Sequence, residues 1–409
     1  MRRYLLLFSA LFFLACSKGE EPAKQLSSLT YSMNGAREIP NIGVPSEVSS
    51  LRVGDSLAGS SNAPSCLVPI PNDANGLYAF AEGPTLLTGT DRSYKIIAAL
   101  PQEKPIIQIL ADEQSIYAIH LSGTIHAYTL DGKKKWDVTQ SVMLSCTAVI
   151  AQNLLVVASD SAITSYDLQS GRRLWSHEIT GFGKAMLFDK KTNLIVVAGI
   201  AERNGKESDS LICFSGAGKI ISTCSLPFMR IVSNLSLCGE KMDKIGFGCI
   251  ELPSSESAVR TLRVVIYDGI ETGHPKQVSV HEVPYIPMNI SSNGGMLLSS
   301  GFREDESGID AFASDDTLHL WQRRFTEPMV APVVVNAKYA YCIQSFATQA
   351  QTPSKNIFYT IDLSTGKTMS ELPVTGANSG ALRGMPMPIA GKAFALCSQS
   401  NSMIYFLRP

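Results

Sequence analysis

The residues of this chain equipped for chemistry are scattered along it. Its six histidines, His120, His126, His177, His274, His281 and His319, occur in neither a His-x-His nor a His-Glu-x-x-His spacing. A zinc site needs three or four ligands at bonding distance, and no local grouping supplies them. Glycosidase-type catalysis needs two carboxylates facing each other across a bond. The runs Glu20-Glu21, Glu304-Asp305-Glu306 and Asp315-Asp316 read instead as solvated acids of loops and turns. Gly216-Ala217-Gly218 is a turn, not a phosphate loop, because no helical pattern follows it. No Gly-x-Ser-x-Gly or Cys-x-x-Cys occurs. Apart from Cys16, the cysteines are Cys66, Cys146, Cys213, Cys224, Cys238, Cys249, Cys342 and Cys397, an even set that would permit disulfides in an exported protein. Cys213/Cys224 and Cys238/Cys249 flank expected hairpins, but neither pair is directly opposite in simple register. Most of these thiols read as small apolar residues in packed strands.

The elements that would have to position these residues repeat. Tyr128-Thr129-Leu130-Asp131-Gly132 leads to Trp136, and Tyr166-Asp167-Leu168-Gln169-Ser170-Gly171 leads to Leu174-Trp175. Degraded copies run from Phe214 through Gly218 to Ser222 and from Tyr267-Asp268 to Gly273-His274. Further copies run from Phe312 to Trp321 and through Ile361-Asp362-Leu363-Ser364-Thr365-Gly366-Lys367. Equivalents of Trp175 are expected at Trp136, Ser222, Gln277, Trp321 and Ser370. A phrase returning about every 40 to 50 residues marks an array of one supersecondary unit. Each copy ends a strand on an aromatic or β-branched residue, turns on Asp, Ser or Gly, and starts another strand. From about residue 47 onward the chain reads as short strands rich in Val, Ile, Leu and Tyr. The class is therefore all-β: a closed β-propeller of four-stranded antiparallel blades, eight by spacing, with seven the alternative. In the blade ending near Trp175, strands A to D are expected near Thr147–Ile150, Leu154–Ala158, Ile163–Tyr166 and Arg173–Glu178. The last copy stops after Met403–Leu407, so an N-terminal strand near Ser49–Leu57 is expected to supply its outer strand and close the ring. His126 and His319 fall at expected strand C positions that could approach the interior.

Composition agrees with a large globular body: 409 residues, 45% hydrophobic, 17% charged, with a formal net charge of −1. Near-neutrality leaves no electrostatic footprint for nucleic acid. Met1-Arg2-Arg3 and the apolar run Tyr4 to Ala15 read as a signal peptide, 1–15, too short to span a bilayer. Cys16 follows where the apolar run stops and reads as the lipidation site. Residues 16–46 read as a lipidated cysteine and flexible tether, spanning roughly 30 Å, and 47–409 as the propeller. Between expected strands B and C, extra polar residues occur at Glu202–Asp209, Pro253–Val259, Arg303–Ser307 and Ala347–Lys355. All B–C loops of a propeller project on one face, so these would build one rim. Arg203, Lys206, Arg303 and Lys355 are its candidate partner-binding residues.

The phrases Ile163-Thr164-Ser165-Tyr166-Asp167-Leu168, Ser170-Gly171, Leu174-Trp175 and Asp362-Leu363-Ser364-Thr365-Gly366-Lys367 resemble the pyrroloquinoline-quinone-type propeller repeat. Quinone-dependent dehydrogenases share that repeat, but this chain lacks the two adjacent cysteines of those with a vicinal disulfide and is much shorter. With its lipoprotein-like start and polar tether, the chain resembles the BamB family of outer-membrane lipoproteins. That resemblance implies a non-enzymatic scaffold of the β-barrel assembly machinery, with no cofactor and no metal. Its partners would be the periplasmic domains of the central barrel component and unfolded outer-membrane clients. It would touch the membrane by its lipid anchor only, at the periplasmic face of the outer membrane. A surface-exposed or periplasmic ligand-binding or adhesion lipoprotein is the alternative. An enzyme would need His, Asp or Arg side chains converging at the inner strand ends.

Overall fold

The computed structural model describes residues 42–52, 65–140, 147–159, 161–179, 183–203, 206–252, 260–269, 272, 274–303, 306–325, 333–346, 355–374, 386–389, 393–397 and 403–409. Their strands form eight four-stranded antiparallel sheets. Seven are built from consecutive strands, spanning 65–99, 106–139, 147–178, 183–226, 229–282, 286–325 and 334–373; these are blades 1 to 7. Blade 8 takes Met387–Ile389, Ala393–Cys397 and Met403–Arg408 as strands A to C, and Glu47–Arg52 as strand D. The two ends of the chain thus close the ring in one sheet, as expected, and a full four-stranded blade over 65–99 settles the number at eight. Ile42 to Ser46, read as tether, belong to the body. Ile42 is buried, Gly43 O accepts from Tyr341 Oη at 2.9 Å, and Ser46 N donates to Arg408 O at 2.7 Å.

The core is a series of radial layers between neighbouring blades. Strand residues alternate in direction, so one set packs on the preceding blade and the other on the next. In blade 2, Ile116, Ala118 and Tyr128 pack on blade 1, whereas Tyr117, Ile119, Ile125 and Ala127 pack on blade 3. A blade covers neither face alone, so fully apolar strands such as Leu154–Ala158 are stable only inside the ring.

The repeated phrase has a geometric cause. Asp167 Oδ1 accepts from Ser170 N (2.8 Å) and Ser170 Oγ (2.7 Å), while Gly171 N donates to Asp167 O at 2.9 Å. These bonds hold the C–D turn of blade 3 in a fixed shape and keep the Asp167 carboxyl below its ordinary pKa. Gly171 sits at φ 68°, and a Cβ there would come within 2.6 Å of Trp136 of blade 2. Trp136 Nε1 donates to Leu168 O (3.0 Å) on the same turn. The outer-strand tryptophan of one blade therefore lies flat on the turn of the next. The device recurs with Trp175 on Gly218 and Gly216 O, and with Trp321 on Gly366 and Leu363 O.

In blades 1 to 7 the outer strand bulges by one residue beside strand C. Trp175 faces Ser165 just before the bulge at Leu174. In blade 5 the same place is taken by Ser279, opposite Ile266, and not by Gln277, because a longer C–D turn shifts the outer strand.

Candidate functional site: the B–C rim

Strand lengths define the rim. In blades 2 and 3, strands B and C are five or six residues long. In blade 4 they are Leu194–Arg203 and Lys206–Ser215, ten residues each, paired out to Arg203↔Lys206. Blade 6 pairs Met296–Arg303 with Glu306–Ala313 out to Arg303↔Glu306, and blade 7 pairs Tyr339–Phe346 with Lys355–Asp362 out to Phe346↔Lys355. The extra polar residues at 202–209 and 303–307 were expected as loops. They are mostly extended hairpin, because backbone pairing satisfies their N–H and C=O groups as the chain leaves the body. The segments 253–259 and 347–354 lie outside the described residues. Arg203, Lys206, Arg303 and Lys355 all stand at hairpin ends on one face, and the side chain of Arg303 is exposed. They occupy three separate blades, so the rim is an arc. Cys16 lies outside the described residues.

Polar groups that the sequence did not single out tie the body beneath this arc. Asp209 of blade 4 is buried and accepts from Ile231 N of blade 5 at 2.5 Å. Arg263 bridges Glu251 (2.8 Å) and Glu282 (3.4 Å) across blade 5. In blade 6 the buried Asp310 takes Arg324 Nη1 at 2.7 Å and Nη2 at 3.1 Å, a two-pronged pair, plus His319 Nε2 at 2.9 Å. Arg323 reaches Tyr359 of blade 7 with its guanidinium 5.4 Å from the ring centre. These contacts join residues on different strands, so no motif of adjacent residues announces them; a charged residue inside an apolar strand, such as Asp310, is their only linear trace. Charge-assisted pairs of this kind fix geometry, which suits a surface that must keep its shape.

The inner strands use their polar side chains to stitch the ring. Asn234 exchanges two bonds with Ile290 of the next blade, Nδ2 to O at 2.8 Å and N to Oδ1 at 2.9 Å. Gln108 Nε2 donates to Ala148 O at 3.3 Å, and Ser291 Oγ donates to Val333 O.

Of the two histidines expected on strand C, one is there. His126 is on strand C of blade 2, but it is buried against blade 1 in edge-to-face contact with His120, ring centres 5.1 Å apart, and does not approach the interior. His319 begins the outer strand of blade 6 rather than lying on strand C, because the C–D turn extends to Leu318. Among the described residues no group of three His, Cys, Asp or Glu side chains could hold a metal ion. Cys238 faces Lys244 and Cys249 faces Ile231, while Cys213 faces Ser222 and Cys224 faces Leu211. All four thiols are free, as is Cys342. Cys146 lies outside the described residues.

Burial pushes the pKa of His120, His126 and His281 below the ordinary histidine value. The unfolded chain then binds more protons at mildly acid pH, so folded-state stability is full above about pH 6.5 and is lost as pH falls through the lower folded-state values. The urea midpoint is expected to fall on acidification from neutral pH. His126→Gln should flatten that slope, and an unchanged slope would show that this imidazole binds its proton equally well in the folded and unfolded states.

The fold defines the class: an eight-bladed propeller closed by strand exchange between its ends, with long B–C hairpins on one face. Residues 97–221 match the family described as Outer membrane protein assembly factor BamB, recovering over that stretch the resemblance carried by the repeats. No curated protein matches the chain in sequence. Among solved structures, BamB from Moraxella catarrhalis is similar at 15% identity and a TM-score of 0.57, over 90% of this chain and 98% of that one. Sqt1 from Saccharomyces cerevisiae is similar at 11% identity and a TM-score of 0.60, over 92% and 99%. A europium-containing methanol dehydrogenase is similar at 11% identity and a TM-score of 0.56, over 88% and 87%. At such identities these likenesses establish the propeller alone, which hosts both enzymes and non-enzymes.

Proposed function

We propose that this chain is a membrane-tethered, non-enzymatic scaffold in the assembly of outer-membrane β-barrel proteins, engaging protein partners through the B–C rim. The observation that carries this reading is the match of residues 97–221 to the outer-membrane assembly-factor family. The stitching of Asn234, Gln108 and Ser291 to neighbouring backbone supports it, since those inner polar groups serve the ring. The basic start, the apolar run to Ala15 and Cys16 support a lipid anchor, with the body on the periplasmic side of the outer membrane. Protein partners bind by a few well-placed residues on a rigid surface, and paired hairpins rising from a body tied by ion pairs such as Arg324–Asp310 provide one. In-cell photocrosslinking tests the proposal. A photoreactive residue at Arg303 is expected to capture a barrel protein with polypeptide-transport domains, whereas one at Lys367 on the opposite face is not. If a folded, membrane-associated protein captures no assembly component from either position, the scaffold reading fails, and binding of an envelope or host polymer becomes the function to pursue.

A further inference from the structure

The exposed apolar residues of this propeller are not spread at random. Of the nine large hydrophobic side chains that are exposed among the described residues, eight belong to outer strands or the turns that enter them. Leu174, Val278, Leu320 and Met369 are the bulged residues of blades 3, 5, 6 and 7, and Ile220-Ile221 begin the outer strand of blade 4. All eight stand at the C–D end of the blades, 38 to 54% exposed. The ninth, Phe228, follows an outer strand at the opposite end. The bulges explain how aliphatic side chains come to face water: each bulged residue is unpaired with strand C and is turned away from the blade's packing faces.

On blades 3 and 4 this apolar level coincides with exposed cations, and blade 2 adds a further cation beside it. Lys133 follows the turn of blade 2, Arg172 and Arg173 that of blade 3, and Lys219 that of blade 4. The carboxylates within those turns, Asp131 and Asp167, are engaged by Thr129 and Ser170. Acidic Asp315 and Asp316 lie across the ring at blade 6. The closing strand shows at which end of the propeller the chain enters the body. Glu47 pairs with Arg408 where strand C of blade 8 ends, so the chain enters the body at the same C–D end. The segment preceding it holds the apolar run to Ala15 and Cys16.

Aliphatic side chains at one level, interleaved with lysine and arginine, match a flat anionic interface: the apolar tips enter the headgroup zone and the cations meet phosphate. We propose that the C–D edge of blades 2 to 4 docks on an anionic phospholipid surface, leaving the B–C rim turned away from the membrane toward its partners. This rests on the reading that the N-terminal segment tethers the body to a membrane.

Hydrogen exchange on the full chain in vesicles tests it. Phosphatidylcholine vesicles are compared with vesicles containing phosphatidylglycerol. Peptides covering 168–178 and 216–224 are expected to exchange roughly tenfold more slowly on the anionic vesicles, with rim peptides of blade 4 unchanged. High salt and the pair Arg172→Glu/Arg173→Glu should remove the protection, since each basic residue near such a surface contributes about fivefold in binding. Leu174→Ser/Ile221→Ser should weaken it; all four positions are exposed, so the fold is retained. If the chain stays on both vesicles with no protection at the C–D edge, docking is refuted while the tether stands. If it associates with neither vesicle, both fail. Protection in detergent that grows with protein concentration would instead assign the edge to a second copy of the chain and overturn the proposal.

Discussion

Replacing Gly171 by alanine is expected to destabilise the protein by about 2–5 kcal/mol, measured by urea unfolding, although the change adds one methyl group to a surface turn. Two costs combine. Gly171 has φ 68°, a left-handed conformation that costs an ordinary residue about 1–2 kcal/mol. The new Cβ would also lie 2.6 Å from the Trp136 ring, and such overpacking costs about 1–3 kcal/mol. Gly132 separates the two. Its φ is 99°, but its nearest neighbour is Ile97 Cδ1 at 3.6 Å, because an isoleucine stands in blade 1 near where blade 2 has Trp136. Gly132→Ala should therefore show the backbone cost alone. Trp136→Ala should cost about 3–5 kcal/mol by itself. In its background Gly171→Ala should fall to the Gly132 value, since the ring it would strike is gone. Additive losses in this cycle would mean that Trp136 and Gly171 contribute separately and that the tryptophan does not join blade 2 to blade 3.

That cycle also shows what the sequence makes legible. The repeat can be read because one contact, tryptophan on glycine, is imposed three times at similar distances along the chain. Closure by an N-terminal strand follows from a missing fourth strand in the last copy. Errors arise where a position is set by a partner in another blade or by strand slippage. Gln277 takes the place of a tryptophan equivalent only if the turn of blade 5 has ordinary length; its longer turn puts Ser279 there. The polar insertions of blades 4 and 6 read as loops because polar residues usually mark loops, yet they pair as hairpins. His319 falls on an outer strand although its turn, 314–318, matches the 168–172 turn of blade 3; it stands where Arg173 does there, two residues before the tryptophan. The Asp209–Ile231 and Arg323–Tyr359 links under the rim leave no local pattern at all. Site geometry is thus less legible than fold, since the fold repeats and the site does not.

Deleting residues 42–52 is expected to be the most damaging change, lowering stability by about 5 kcal/mol or more through lost strand hydrogen bonds and apolar burial. Six register pairs with Met403–Arg408 would disappear, together with the packing of Ile42, Val44, Val48 and Leu51. The bond from Tyr341 Oη to Gly43 O and that from Arg408 to Ser49 would go too. Met403–Arg408 would become a bare sheet edge, a template for association with other chains, so sedimentation should show larger species than the intact chain forms. The same strand sets the order of folding. Blades 1 to 7 close through hairpins within themselves, but Ser49 and Arg408 are 359 residues apart, so this pairing carries a loop-closure cost that the hairpins do not. A permuted chain isolates that cost. Glu47 already lies beside Arg408 as a strand D lies beside its strand C, with Ser46 N on Arg408 O at 2.7 Å. Starting the chain at residue 65 and joining 42–52 after Pro409 by a short linker keeps every one of these pairs while making the last hairpin local. The permutant should recover the stability lost on deletion and refold faster than the natural order. Recovery of stability without faster refolding would show that ring closure is not the slow step. Failure to recover stability would show that the strand acts through the chain that connects it to blade 1, and that pairing with Met403–Arg408 is not what holds the ring shut.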